Sequence, residues 1–243
     1  MDNNNTGRGA SMKNTDMSGI SAVIVAGGQG TRLGANTPKA FVLLGHKPLF
    51  TWSLVTLDKH PAISETVLVI PTMMHAQAEA IVGSLALEKP FVLVAGGTER
   101  WESVRNGVMA ADDKNNWIVV HDAARPFITE KVIDTLLEKQ ESFLCAITAT
   151  PVVDTIRSFD KESCLETLDR SKLLRVGTPQ LFYRQKLIEA FDKARAMTLP
   201  PTDEAMLMER CGMKVGYAWG DENNFKITTE SDLKLAEGLL RVK

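Results

Sequence analysis

Cysteine is scarce in this chain. Cys145, Cys164 and Cys211 stand far apart with no C-x-x-C spacing, so neither a disulfide framework nor a zinc site is indicated, and a reducing cytoplasm is the expected setting. No apolar run approaches the roughly 20 residues of a membrane-spanning helix, and the N-terminus lacks the apolar core of a secretory signal. Charge of one sign is not in excess either: a net charge of −2 gives no global attraction to nucleic acid or to an anionic membrane. Any phosphate binding must therefore come from a local pocket. Internal repeats are missing, and residues 1–19, rich in Asn, Ser, Gly and Thr, form the only polar low-complexity stretch, expected to be a disordered tail. What remains, 20–243, is 224 residues of a chain that is 44% apolar, enough for one sizeable domain and not for two.

Short β-branched runs at 20–26, 66–70, 91–94, 117–121 and 146–149 read as buried strands, and helical patterns at 49–57, 73–82, 101–111 and 129–139 fall between them. This alternation predicts an α/β fold: a Rossmann-like, mostly parallel sheet with helices on both faces and ligands beyond the carboxyl ends of the strands. Between about 152 and 176 the pattern changes to short β-prone pieces around a polar stretch at 160–163. That reads as a protruding β-arm, a candidate dimerisation element. Helices at 185–196 and 203–210, a strand at 214–218 and a last helix ending near Leu240 complete the expectation. Thr229 with Asp232 approximates the last helix's capping box.

The first strand breaks into Ala26-Gly27-Gly28-Gln29-Gly30-Thr31-Arg32, and Pro38-Lys39 follows. Backbone amides of such a turn approach phosphate oxygens without a Cβ in the way, and a guanidinium and an ammonium neutralise charge along a triphosphate. Two familiar alternatives fail. G-x-x-x-x-G-K-[ST] is absent, and the dinucleotide pattern begun by Gly28 and Gly30 ends on Leu33, with Ile70-Pro71-Thr72 where a ribose-binding acid belongs.

The run from Ala26 to Leu33 with Pro38-Lys39 resembles the sugar and polyol phosphate nucleotidyltransferases. Further motifs narrow the likeness: Gly96-Gly97-Thr98-Glu99-Arg100 with Ser103, His121-Asp122-Ala123-Ala124-Arg125-Pro126, Thr178-Pro179-Gln180, Thr202-Asp203-Glu204-Ala205 and Asn224-Phe225-Lys226-Ile227-Thr228. Together and in this order they resemble the 2-C-methyl-D-erythritol 4-phosphate cytidylyltransferase family across nearly the whole chain beyond its tail.

The resemblance implies transfer of a cytidylyl group from CTP to a polyol phosphate with release of pyrophosphate. It makes Arg32 and Lys39 the stabilisers of triphosphate charge, and Arg170 and Lys226 the residues that position the substrate phosphate. Ala26, Gly27, Gly28 and Gly30 would contact the nucleotide, with Gly97, Arg100 and Ser103 reading cytosine, whose amine needs an acceptor such as a loop carbonyl. Asp122, Arg125, Thr155, Thr178 and Thr202 would face the acceptor. Mg²⁺, bound mainly through the CTP phosphates, is the implied cofactor. In relatives the arm bearing Arg170 reaches the neighbouring subunit, which implies a homodimer. Thr98 is also a candidate cap for the helix starting near Trp101.

No general base is needed. A phosphate monoester has its second pKa near 6, so the attacking oxygen is already largely unprotonated, and His121 reads as a hydrogen-bonded packing residue. Two other readings stay open. Gly27 stands where relatives often carry alanine, and tandem glycine also occurs in ribitol 5-phosphate cytidylyltransferases, although Ala123-Ala124 and Glu204-Ala205 favour methylerythritol phosphate. A catalytically silent nucleotide-binding regulator of the same fold is the third.

Overall fold

The computed structural model describes residues 19–28, 37–194 and 201–242. The sequence readings that fall on the tail at 1–18, on Gly30 and Arg32, and on Arg195 and Ala196 lie outside the described residues.

Strand β1 (Ile20–Val25) is followed by a small hairpin of β2 (Leu43–Leu44) and β3 (Lys47–Pro48) that leads into helix α1 (Leu49–Lys59). Then β4 (Ile63–Ile70), α2 (His75–Gly83), β5 (Phe91–Ala95), α3 (Arg100–Ala110), β6 (Trp117–Asp122) and α4 (Glu130–Leu137) alternate. After β7 (Cys145–Pro151) comes the arm, whose β8 (Arg157–Phe159) and β9 (Cys164–Thr167) pair antiparallel. The Asp160 carboxylate closes their turn by accepting from the backbone N–H groups of Glu162 and Ser163. The chain returns through β10 (Leu174–Tyr183), α5 (Arg184–Ala194), α6 (Glu204–Arg210), β11 (Gly216–Trp219) and α7 (Glu230–Val242).

These strands build a seven-stranded sheet in the order β11-β7-β10-β6-β1-β4-β5. Every pairing is parallel except those of β10, which runs against both β6 and β7. The period-2 alternation of a strand divides each one between two faces. Ala22, Ile24, Leu68 and Ile70 pack with α1, α2 and α4 on one side, while Val23, Val67 and Val69 pack with α3, α5 and α6 on the other. Each fully buried aliphatic side chain contributes roughly 1.5–3 kcal/mol. Helix α3 lies so close that a Cβ on Gly107 would stand 2.5 Å from Val23 Cγ1 and 2.7 Å from Val69 Cγ2, so glycine is what this approach requires.

The expected doubly wound architecture is present, with the β2–β3 hairpin and β10 in addition. The sequence pattern assigns 174–176 to the arm and no strand to 177–183, where Gly177 and Pro179 stand; β10 accommodates both at a register shift between Gly177 and Gln180. The arm therefore ends sooner than the anticipated 176, since Leu174, Arg175 and Val176 already pair with β7. Among the described residues, no helix is long and apolar enough to cross a membrane.

From β1 the chain passes to β4 and β5 on one side, then returns to β6 on the other. This reversal opens a crevice beyond the carboxyl ends of β1 and β6, the place where ligands bind in such sheets.

Candidate active site

A cavity of about 200 Å³ occupies that crevice. Ala26, Gly27 and Gly28 leave the end of β1 along its wall. The backbone fixes this turn from both sides: Ala26 N–H donates to Val69 O at 2.8 Å, and Lys39 N–H donates to Gly28 O at 3.0 Å. Lys39 thus stands at the cavity by virtue of the same turn that exposes the glycine backbone.

The opposite wall is the start of α3. Its cap is Glu99, not Thr98: Glu99 and Glu102 form a capping box, and Glu102 Oε2 accepts from both the Thr98 and Glu99 N–H groups at 2.9 and 3.0 Å. Buried Ser103 ties the loop down, its Oγ accepting from Gly97 N–H at 3.0 Å and donating to Glu99 O at 3.3 Å. A Cβ on Gly97 would stand 2.4 Å from Glu102 Cβ, so the close turn that lines the cavity depends on glycine here.

Asp122, the last residue of β6, gathers the charges. Its Oδ1 accepts from Arg100 Nε and Nη2 at 3.3 and 3.1 Å, and its Oδ2 from Lys226 Nζ at 2.7 Å. Both oxygens of Glu204, which is 0% exposed, accept from Arg100 Nη1 at 2.8 Å. Burial opposes ionisation of Asp122, but Arg100 and Lys226 outweigh it and hold the carboxyl well below the usual range. Burial also works against the Arg100 charge, yet the Glu204 and Asp122 carboxylates raise its pKa above the ordinary value. The result is a fixed ladder, Glu204 to Arg100 to Asp122 to Lys226, that sets one ammonium at the mouth of the crevice.

His121 is fully buried and takes part through hydrogen bonds. A carbonyl only accepts, so Nε2 carries the proton and donates to Arg125 O at 3.0 Å. Nδ1 then accepts from Thr178 Oγ1 at 3.1 Å, and the same hydroxyl accepts from Asp122 N–H at 3.1 Å. Burial pushes the imidazole pKa down to about 4, so the ring is neutral near pH 7. It is the packing residue expected of a strand-end histidine, and it pins the Asp122–Arg125 turn to β10.

A second cavity, of about 210 Å³, opens between the ends of β7 and β10 and the loop after β11. Lys226 lines both cavities. Arg125 lines the second, its Nη1 donating to Asn224 O at 3.0 Å, and Thr178 borders it although its hydroxyl is spent inside the protein. The described residues thus bring Ala26, Gly27, Gly28, Lys39, Gly97, Arg100, Ser103, Asp122, Arg125, Thr178 and Lys226 to two adjoining cavities. Arg170, Thr155 and Thr202 line neither: Arg170 and Thr155 are exposed on the arm, where Arg170 donates to Val153 O, and Thr202 is exposed just ahead of α6. Glu204 and Asn224 stand in two of the sequence motifs without an assigned contact; the structure supplies one for each, Glu204 to Arg100 and Asn224 Nδ2 donating to Thr178 O at 3.0 Å.

A glycine turn, an acid and converging cations at the switch point of a doubly wound sheet define a nucleotide-binding α/β protein. The chain belongs to the 2-C-methyl-D-erythritol 4-phosphate cytidylyltransferase (IspD) family, whose model matches residues 20–242. A protein of that name from Bacillus thuringiensis (strain Al Hakam) is 37% identical over 221 residues, spanning 91% of this chain and 97% of its own length. Another from Syntrophus aciditrophicus (strain SB) is 36% identical over 229 residues, spanning 91% and 96%. Among solved structures, the 4-diphosphocytidyl-2C-methyl-D-erythritol synthase of Anaerococcus prevotii superposes with a TM-score of 0.82 at 27% identity, covering 93% of this chain and all of that one. The cytidylyltransferase of Thermus thermophilus gives 0.75 at 30%, covering 92% and 99%.

Proposed function

We propose that the chain transfers a cytidylyl group from CTP to 2-C-methyl-D-erythritol 4-phosphate, forming 4-diphosphocytidyl-2-C-methyl-D-erythritol and pyrophosphate. The observation that carries this reading is the meeting of two cavities at Lys226, whose ammonium Asp122 holds: one suits a nucleotide, the other an acceptor, and the reacting atoms belong at their junction. An oxygen of the acceptor phosphate bonds to the α-phosphorus while the bond to the β-phosphate oxygen breaks, and pyrophosphate leaves with that electron pair. Lys39 and Lys226 neutralise charge as it builds, and the ladder through Arg100 keeps Lys226 in place without rearrangement. The family match supports methylerythritol phosphate over ribitol 5-phosphate and over a silent regulator.

The charged oxygen donors lining the first cavity are Asp122 and Glu99, and among the described residues no group of three His, Cys, Asp or Glu is placed to hold a metal. That set fits a Mg²⁺ held chiefly by phosphates with one carboxylate, as is usual for this ion. Such an ion would supply further neutralisation of the phosphates. Pyrophosphate release assayed with CTP or UTP and with each polyol phosphate tests the proposal. The expected result is strong preference for CTP and methylerythritol phosphate and loss of turnover in EDTA; equal turnover with UTP or full activity in EDTA would refute it.

A homodimer, in a reducing cytoplasm, is part of the same reading. On the arm Val153, Phe159 and Leu165 are 66, 79 and 62% exposed, apolar surface that suits burial against a second copy and that would carry Thr155 and Arg170 to the neighbour's acceptor cavity. Sedimentation should show a dimer, and deletion of 156–168 a monomer with little activity. An active monomer defeats the arm's role.

A further inference from the structure

The second cavity holds two guanidiniums that, among the described residues, no carboxylate pairs. Arg125 and Arg175 both line it, and both donate to neutral oxygens, Arg125 Nη1 to Asn224 O and Arg175 Nε to Thr150 Oγ1, each at 3.0 Å. Among the described residues neither guanidinium has a carboxylate within 4.0 Å. Asp122, which favours the Arg125 charge from further off, is already shared by Arg100 and Lys226. Of the acids on the cavity's rim, Asp221 accepts from Asn223 N–H at 2.8 Å and Glu222 is exposed, and among the described residues neither forms an ion pair with these arginines. Burial lowers the Arg125 pKa, and the nearby Arg175 and Arg100 charges lower it further. Arg125 is half-buried and Arg175 exposed beside it, so like charges share one cavity with no ion-paired acid, and a dianion that accepts from both forks relieves their repulsion.

We propose that Arg175 is a specificity-determining cation of the acceptor site, gripping with Arg125 the phosphomonoester of the polyol phosphate. A phosphomonoester is close to a dianion at neutral pH, which matches the two guanidiniums, and it leaves a further oxygen to face Lys226 and the nucleotide cavity. The inference rests on the acceptor reading above and adds to it a residue that none of the recognised motifs contains. Arg175 suits the task because it sits on β10, paired with Thr150 of β7, so its fork is carried by the sheet and not by the arm.

The test is steady-state kinetics on Arg175→Ala and Arg175→Lys, with inorganic phosphate as a competing probe. Loss of a charge-assisted pair should raise KM for the acceptor by about tenfold or more and weaken inhibition by inorganic phosphate in parallel. KM for CTP should stay within about twofold, and kcat should fall less than acceptor KM rises. Arg175→Lys should recover part of the acceptor KM, because it keeps the charge and loses the fork. An unchanged acceptor KM in Arg175→Ala, or equal losses for CTP and acceptor, overturns the assignment. If the wild-type protein releases no pyrophosphate with any polyol phosphate, the acceptor reading itself has failed. Equilibrium dialysis with labelled inorganic phosphate then decides the seat separately: weaker retention by Arg175→Ala than by wild type supports it, and equal retention overturns it.

Discussion

Replacing Lys39 with alanine is expected to lower kcat by roughly two to four powers of ten while the melting temperature changes by no more than about 2 °C. Lys39 is half-buried at the cavity, and its backbone, not its side chain, makes the bond to Gly28 that holds the turn. Truncating the side chain therefore keeps that backbone bond. Charge at the α-phosphorus is greater in the pentavalent transition state than in bound CTP, so a fixed ammonium gains more from the former, and kcat should fall more than KM rises. Lys39→Arg should rescue partially, since a planar fork does not set its charge where a compact ammonium sat. Kinetics of the two variants with melting curves decide the matter; near-wild-type kcat for Lys39→Ala would make it an ordinary loop cation.

Glu204→Ala is expected to cost about 3–5 kcal/mol of stability, the loss typical when one member of a buried ion pair is removed, and to lower the melting temperature by roughly 10 °C. The carboxylate is fully enclosed, and both its oxygens are spent on Arg100 Nη1. Glu204→Gln should lose less than half as much, because the amide oxygen still accepts from Nη1. Urea unfolding of the three proteins measures both; a loss under about 1 kcal/mol for alanine would show the pair to be worth little.

The two acids on Arg100 also differ in sign with pH. Burial holds Glu204 above the ordinary carboxylate range despite the pull of Arg100, so its share of stability is complete at low pH and declines as pH rises through its folded pKa. Asp122, held below that range, contributes fully above about pH 4 and loses its share as pH falls toward its depressed value. Glu204→Gln removes the first dependence and leaves the second, so its stability should fall on the acid side alone.

Much of this was legible in the sequence for identifiable reasons. The strands β1, β4, β5 and β6 are β-branched runs closed by Gly, Pro or Asp, and period and punctuation suffice to find such strands. Strand β10 hides because its Gly177 and Pro179 are the residues that normally argue against a strand. Residue type makes Thr98 a candidate cap of α3, since threonine is the commoner cap, whereas the capping box of Glu99 and Glu102 decides it. Glu204 heads α6, where an acid usually means solvent and a favourable dipole. Its partner comes from elsewhere in the chain: α3 brings Arg100 against it, and Arg100 in turn holds Asp122 of β6. Arg170 and Thr155 enter only through the family resemblance, because within one chain the arm holds them apart from both cavities.

The reversed direction of β10 settles where novelty can enter this architecture. A parallel neighbour would have to start at the far pole, so the chain leaving β7 would cross the whole sheet before resuming. Running backwards, β10 begins at the pole where β7 ends, with Leu174 opposite Pro151. Departure and return are side by side, and both open on the crevice rim. Whatever is spliced between them is delivered to that rim at any length, and the sheet below does not register the change. The arm occupies a port: a position where segments can be exchanged, lengthened or replaced while the chemistry beside them keeps its footing.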